Sequence, residues 1–145
     1  MKENLLISDC LYGTCCRYDG LANTISFLDE LQWRYNLIRC CPEVLGGLPT
    51  PRPPAERSGS VVRCKDGTDV TKYFHKGALE ALEIAKVHKC TKALLKAKSP
   101  SCGKGLIYDG SHSRRLIEGN GVTVDMLLDA GITVFTELEI DDLLK

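Results

Sequence analysis

Apolar and polar positions along this chain switch repeatedly between two periods. "NLLIS" (4–8) is a short, continuously apolar run that reads as a buried strand, and the loop "CLYGTCCRYDG" follows it, punctuated by Gly13 and Asp19-Gly20. From Asn23 to about Tyr35 the pattern turns helical. Ile25, Leu28, Leu31 and Trp33 lie roughly on one face, and the acids Asp29 and Glu30 precede Arg34. "NLIRC" (36–40) reads as a second strand, and a long proline-rich loop, "CPEVLGGLPTPRPPAERSG", comes after it. "SVVRCKDGTDVT" predicts a small hairpin turned at Asp66-Gly67, and Thr71 is the expected N-cap of a long helix reaching about His88. "KALLKA" (92–97) is a third strand, and a loop over 98–121 follows. Thr123 is expected to cap a helix that stops at Gly131; "ITVF" (132–135) is a fourth strand, and "TELE" (136–139) is a capping box that opens the last helix.

Strand and helix therefore alternate four times. This predicts an α/β, Rossmann-like fold: one domain over 1–145, with a mainly parallel sheet of about four strands flanked by helices, plus a small hairpin. In such sheets ligands bind beyond the carboxyl ends of the strands. Cys10 lies at the end of the first strand, Cys41 at the end of the second, and Cys102 in the loop after the third, so three thiols are expected to share one crevice.

Composition narrows the chemistry. The 145 residues carry 19 Lys+Arg and 19 Asp+Glu, a net charge of zero, which argues against broad binding to long nucleic acid. No apolar run suits a membrane span. The opening "MKENLLISDC" is too briefly apolar for a signal peptide, so a cytoplasmic location with reduced thiols is expected. The eight cysteines then read as metal-binding, catalytic or inert; Cys64 and Cys90 fit packing. Three convergent thiolates suit zinc, copper(I) or an iron–sulfur cluster. No CxxC is present, the vicinal pairs Cys15-Cys16 and Cys40-Cys41 chelate poorly, and His75, His88 and His112 form no metal-ligand spacing. Spacing alone leaves zinc and iron–sulfur open.

Four segments go further. "LISDCLYGTCCRYDG", "CCPEVLGGLPTPRPPAE", "VVRCKDGTDVT" and "LKAKSPSCGKGLIYDG" resemble, in order and over nearly the whole chain, the motifs of the TudS-type thiouracil desulfidase family. Asp9 before Cys10 and Leu21-Ala22 after "YDG" depart from that pattern. The resemblance implies a small enzyme with an oxygen-sensitive 4Fe-4S cluster held by Cys10, Cys41 and Cys102, which removes sulfur from thiolated uracil compounds. The expected substrate is 4-thiouridine monophosphate, giving UMP and sulfide, with the thione sulfur on the open iron.

On that reading Glu43, two residues after Cys41, is the expected general base for the attacking water, unless it only binds loop amides or Arg52. Ser101 would bond substrate or shuttle a proton, unless it is a turn serine. Ser99, Arg17 and Tyr108 are expected to bind substrate, with Tyr18 or Tyr108 stacking on the base. The amides around Gly103 and Gly105, helped by Arg17, Lys104, Arg114 or Arg115, are candidates for a phosphate. Cys16 is a spare thiol, either a fourth ligand or a packing residue. A zinc- or thiol-dependent enzyme in the same crevice, and a noncatalytic small-molecule-binding domain, are the alternatives.

Overall fold

A computed structural model describes residues 2–144. In chain order, β1 (Glu3–Ser8) runs into a one-turn helix α1 (Asp9–Tyr12), and α2 (Leu28–Arg34) leads to β2 (Tyr35–Cys40) and a second one-turn helix, α3 (Pro42–Leu45). β3 (Ala55–Ser58) and β4 (Val61–Cys64) precede the long helix α4 (Thr71–Val87) and β5 (Lys92–Leu95). β6 (Leu106–Tyr108), β7 (Leu116–Glu118), α5 (Val122–Asp129), β8 (Thr133–Thr136), a 3-10 turn over 137–139 and α6 (Ile140–Leu143) complete the order.

Four strands form one all-parallel sheet in the order β2-β1-β5-β8, and two antiparallel hairpins, β3-β4 and β6-β7, stand beside it. The expected α/β architecture is what forms. Both faces of the sheet are covered, which is why its strands read as unbroken apolar runs. Alternate side chains go to opposite faces. Leu5, Ile7 and Leu94 pack with Leu11, Leu31, Ile140 and Leu143; Leu6, Ala93, Leu95 and Val134 pack with Ala81, Ala85, Val124 and Leu127. Cys90 is buried in the second of these clusters, and Cys64 in a third, under the β3-β4 hairpin with Val62 and Phe74. No helix of the described residues is long and apolar enough to cross a membrane.

Several expected details change. The chain does turn back at Asp66-Gly67, with a bridge from Arg63 to Asp69 and backbone bonds from Cys64 to Thr68 and from Val70 to Val62, but the regular ladder is an additional hairpin turned at Gly59-Ser60, where β4 pairs backwards with the end of the proline-rich loop. The 98–121 segment holds the unanticipated β6-β7 hairpin. α2 begins at Leu28 rather than Asn23, and Trp33 is 82% exposed instead of facing the core. Thr71 is the first residue of α4, and its hydroxyl accepts the Val62 N–H rather than capping its own helix. The Thr136–Glu139 capping box forms as read, on the 3-10 turn before α6.

One contact positions the end of β2. α4 is rich in good helix formers, and its inner stripe is small: Gly77, Ala78, Ala81 and Ala85. A Cβ on Gly77 would lie 1.8 Å from the Pro42 carbonyl oxygen, and one on Gly46 would lie 2.0 Å from the Tyr73 carbonyl oxygen. α3 and α4 thus meet backbone to backbone, which fixes the segment that follows Cys41. Gly77→Ala should cost about 1–3 kcal/mol through overpacking, read in urea unfolding. Leu79→Ala, on the exposed face of α4, should stay within about 0.5 kcal/mol; equal costs for the two would show that the glycine contact carries no special constraint.

Candidate functional site

All four sheet strands point the same way, so the segments after β1, β2 and β5 emerge on one edge. A cavity of about 560 Å³ lies there, and Cys10, Cys16, Cys41 and Cys102 all line it. β1 is the switch point, since the chain leaves it for β2 on one side and returns to β5 on the other.

Each thiol has its own setting. Cys10 sits in α1, buried, with the Asn23 side-chain amide donating to its sulfur at 3.8 Å. Cys41 precedes α3, and the Val44 N–H points at its sulfur. Cys16 lies between them and donates toward both. That donation is the main reason the Cys10 thiol is held below its ordinary value and the Cys41 thiol falls to about 7, each against the cost of burial. The same two bonds, with burial, hold Cys16 protonated, its pKa far above normal. Cys102 is buried and accepts a bond from the Ser8 hydroxyl; burial nevertheless pushes its thiol well up, and the Cys40, Cys41 and Cys10 sulfurs add to this. Cys40 also touches the cavity, but burial raises it too, and its side chain belongs to the core cluster with Cys90. Among the described residues, no group of three or more His, Cys, Asp or Glu side chains closes around a single metal ion.

Glu43 also lines the cavity, its side chain 18% exposed. Arg52 donates from Nε to Glu43 Oε1 at 3.1 Å, so the loop ion pair considered for this carboxylate does form. Burial raises the Glu43 pKa, and the Arg52 charge and hydrogen bond partly offset that. The Arg52 side chain is only 4% exposed. Its other N–H groups bond the Pro49 carbonyl at 3.2 Å, Thr50 Oγ1 at 3.1 Å and the Cys16 carbonyl at 2.9 Å. One guanidinium therefore ties the loop after β1 to the segment after β2. The sequence offered Arg52 only as a partner for Glu43; nothing local in it marked the bond to the Cys16 carbonyl, or Asn23 as a donor to Cys10.

Other expected residues are distributed unevenly. Arg17, Tyr18, Ser99, Tyr108 and Arg114 line the cavity. Arg17 is already paired with Asp19 at 2.8 Å and bonded to Asn23 at 2.9 Å. Ser99 Oγ accepts the N–H groups of Ser101 and Cys102, forming the turn that holds Cys102. Ser101 lies behind the wall. It is fully buried, its hydroxyl bonds Thr123 Oγ1 at 2.7 Å, and it is not on the cavity wall, because the start of α5 closes over it at Gly121. The same pairing takes Thr123 away from capping α5. The Gly103 and Gly105 amides are not available to a phosphate either: they donate to the Ser99 carbonyl and Asn120 Oδ1. Lys104 is paired with Glu139 at 3.1 Å, and neither it nor Arg115 lines the cavity. Lys98 and His112, which sequence reasoning passed over, do line it.

The chain is similar to known proteins over nearly its whole length. Residues 5–139 match the family described as 2-thiouracil desulfurase. An uncharacterized Bacillus subtilis (strain 168) protein, YbbK, is 38% identical over 150 residues, covering 97% of this chain and 99% of its own. A solved structure, the [4Fe-4S]-dependent thiouracil desulfidase TudS (DUF523Vcz), superposes with a TM-score of 0.94 at 44% identity, covering 98% of this chain and 95% of that one.

The Arg52 network yields a stability prediction. Arg52→Met keeps the bulk but strands a largely buried carboxylate and the Cys16 carbonyl. It should destabilise the cluster-free chain by about 2–4 kcal/mol, at or below the usual cost of breaking a buried pair because Glu43 retains some water. Adding Glu43→Gln to Arg52→Met should recover part of that loss in urea unfolding. No recovery would mean that the guanidinium acts through the two carbonyls and not through the carboxylate.

Proposed function

The chain belongs to the 2-thiouracil desulfurase family, and from that membership we propose its function: it is a [4Fe-4S]-dependent desulfidase of thiouracil compounds, with 4-thiouridine monophosphate as its substrate, converted to UMP and sulfide. The single domain over 1–145 carries the whole site. The observation that supports the ligand assignment is topological. Cys10, Cys41 and Cys102 follow three neighbouring parallel strands, and all three line one cavity.

The donor set fits such a cluster. Thiolates are its ordinary ligands, and Cys10 and Cys41 are already biased toward the thiolate. Cys102, whose thiol burial holds protonated, is a site where a cationic partner would favour deprotonation. Held by Cys10, Cys41 and Cys102, such a cluster would supply a Lewis acid for a soft thione sulfur.

The remaining work falls to the chain itself. Glu43 takes the proton from the water that replaces sulfur on the ring carbon. Arg52 engages Oε1, which leaves Oε2 for the proton, and partial burial raises the carboxylate toward the range of a useful base. Tyr18 and Tyr108 offer aromatic faces for the pyrimidine. Ser99 shapes the turn beneath the substrate, and Ser101 holds that turn on α5. Arg114 meets the phosphate, with Arg17 beside the ring, since Arg17 already spends its charge on Asp19.

Anaerobic reconstitution with iron and sulfide tests the ligand assignment. Cys10→Ala, Cys41→Ala and Cys102→Ala should each lose stable iron and visible absorbance, while Cys64→Ala and Cys90→Ala keep both. Iron retained in Cys102→Ala but lost in Cys64→Ala would reverse the assignment, and a colourless wild type with stoichiometric zinc would replace it with a zinc enzyme.

Glu43→Gln should keep the iron, and the cluster absorbance should still respond to 4-thiouridine monophosphate. Turnover should fall by about a hundredfold to ten-thousandfold. Wild-type turnover in this variant would remove Glu43 from the reaction.

A further inference from the structure

The proposed ligand set leaves two thiols of the cavity over: Cys40, which packs in the core cluster, and Cys16. Cys16 is 7% exposed and lines the same cavity as Cys10 and Cys41. Its backbone cannot drift away, because the Arg52 Nη2 group holds its carbonyl at 2.9 Å. The Cys41 sulfur lies 3.8 Å from that same carbonyl oxygen. Cys41 is also the most open of these three: Cys10 and Cys16 are buried, whereas Cys41 is only partly so and faces a cavity large enough for a small-molecule disulfide.

We propose that Cys16 is a redox modification site: in the cluster-free chain, Cys16 and Cys41 are joined as a disulfide by exchange with a low-molecular-weight disulfide of the glutathione class. The exchange runs in two steps. The Cys41 sulfur attacks one sulfur of the small disulfide; that S–S bond breaks, one small thiol leaves, and a mixed disulfide forms on Cys41. The Cys16 sulfur then attacks the Cys41 sulfur, giving up its proton, and the second small thiol leaves. The two protein thiols lose two electrons and two protons, and the small disulfide gains both.

The bond would cap a ligand that loss of the cluster leaves exposed, and keep it off the irreversible branch of thiol oxidation. A thiol reductant would reopen it for reloading. The disulfide itself requires only the observed juxtaposition; its effect on iron loading rests on the reading of Cys41 as a cluster ligand.

The test uses the full-length cluster-free chain, equilibrated without oxygen with oxidised glutathione, acid-quenched and digested with trypsin and chymotrypsin. Cleavage after Tyr12 separates Cys10 from Cys15 and Cys16, and cleavage after Arg39 releases the Cys41 peptide. The expected product is a cross-link between the Cys16 and Cys41 peptides that carries no glutathione on Cys41. The cross-link should persist in Cys15→Ser and in Cys40→Ser, and vanish in Cys16→Ser, where glutathione stays on Cys41. Stable glutathione on Cys41 of the wild type, or a cross-link from Cys10 in its place, overturns the proposal. The cross-linked chain should take up at least tenfold less iron than the reduced chain, and dithiothreitol should restore uptake. A cross-link with unimpaired iron loading would leave the disulfide site standing and remove Cys41 from the ligand set, so the two failures read differently.

Discussion

Strands that run parallel must all end on the same edge of their sheet, and every feature of the site depends on that constraint. Cys10, Cys41 and Cys102 are far apart in sequence, yet β2, β1 and β5 are neighbours, so the three positions that follow them meet without any long-range device to gather them. The apolar runs therefore have two jobs. They supply the core on both faces of the sheet, and by fixing register they place each following residue at a known height above the edge.

The edge alone does not hold a cavity open. Loops carrying thiols and a carboxylate would collapse or splay unless something polar organised them. Arg52 does this from inside. Its fork spans Glu43, the Cys16 carbonyl and two groups of its own loop, and the guanidinium suits this role because five fixed donors can satisfy several acceptors at once. The result couples the two sides of the site: the segment that presents Cys16 and the segment that presents Cys41 and Glu43 share one charged anchor. Below it, the close approach of Gly46 and Gly77 removes the remaining freedom of α3.

Much of this was legible in the chain. Continuous apolar runs gave the sheet strands, helical spacing gave α4, and "TELE" gave its capping box, because each is a local pattern with a local cause. What escaped was decided by tertiary partners. Thr71 and Thr123 have the right chemistry for capping, but their hydroxyls are taken by Val62 and Ser101. The glycine amides after Cys102 resemble an anion cradle until their acceptors are seen. β7 is exposed at every position, so it offered no burial alternation to read. Trp33 is apolar and helically spaced, yet it stands in water, since apolar residues are not obliged to be inside.

Lys98, His112 and Arg114 share an unusual property. All three line the cavity, and all three hold a backbone conformation with φ near +60°, at 67°, 57° and 63°. Side chains rarely accept that geometry, at a cost of order 1–3 kcal/mol each. Glycine at each position would relieve that strain, so replacing these side chains would be expected to raise stability while stripping two cations and an imidazole from the cavity rim.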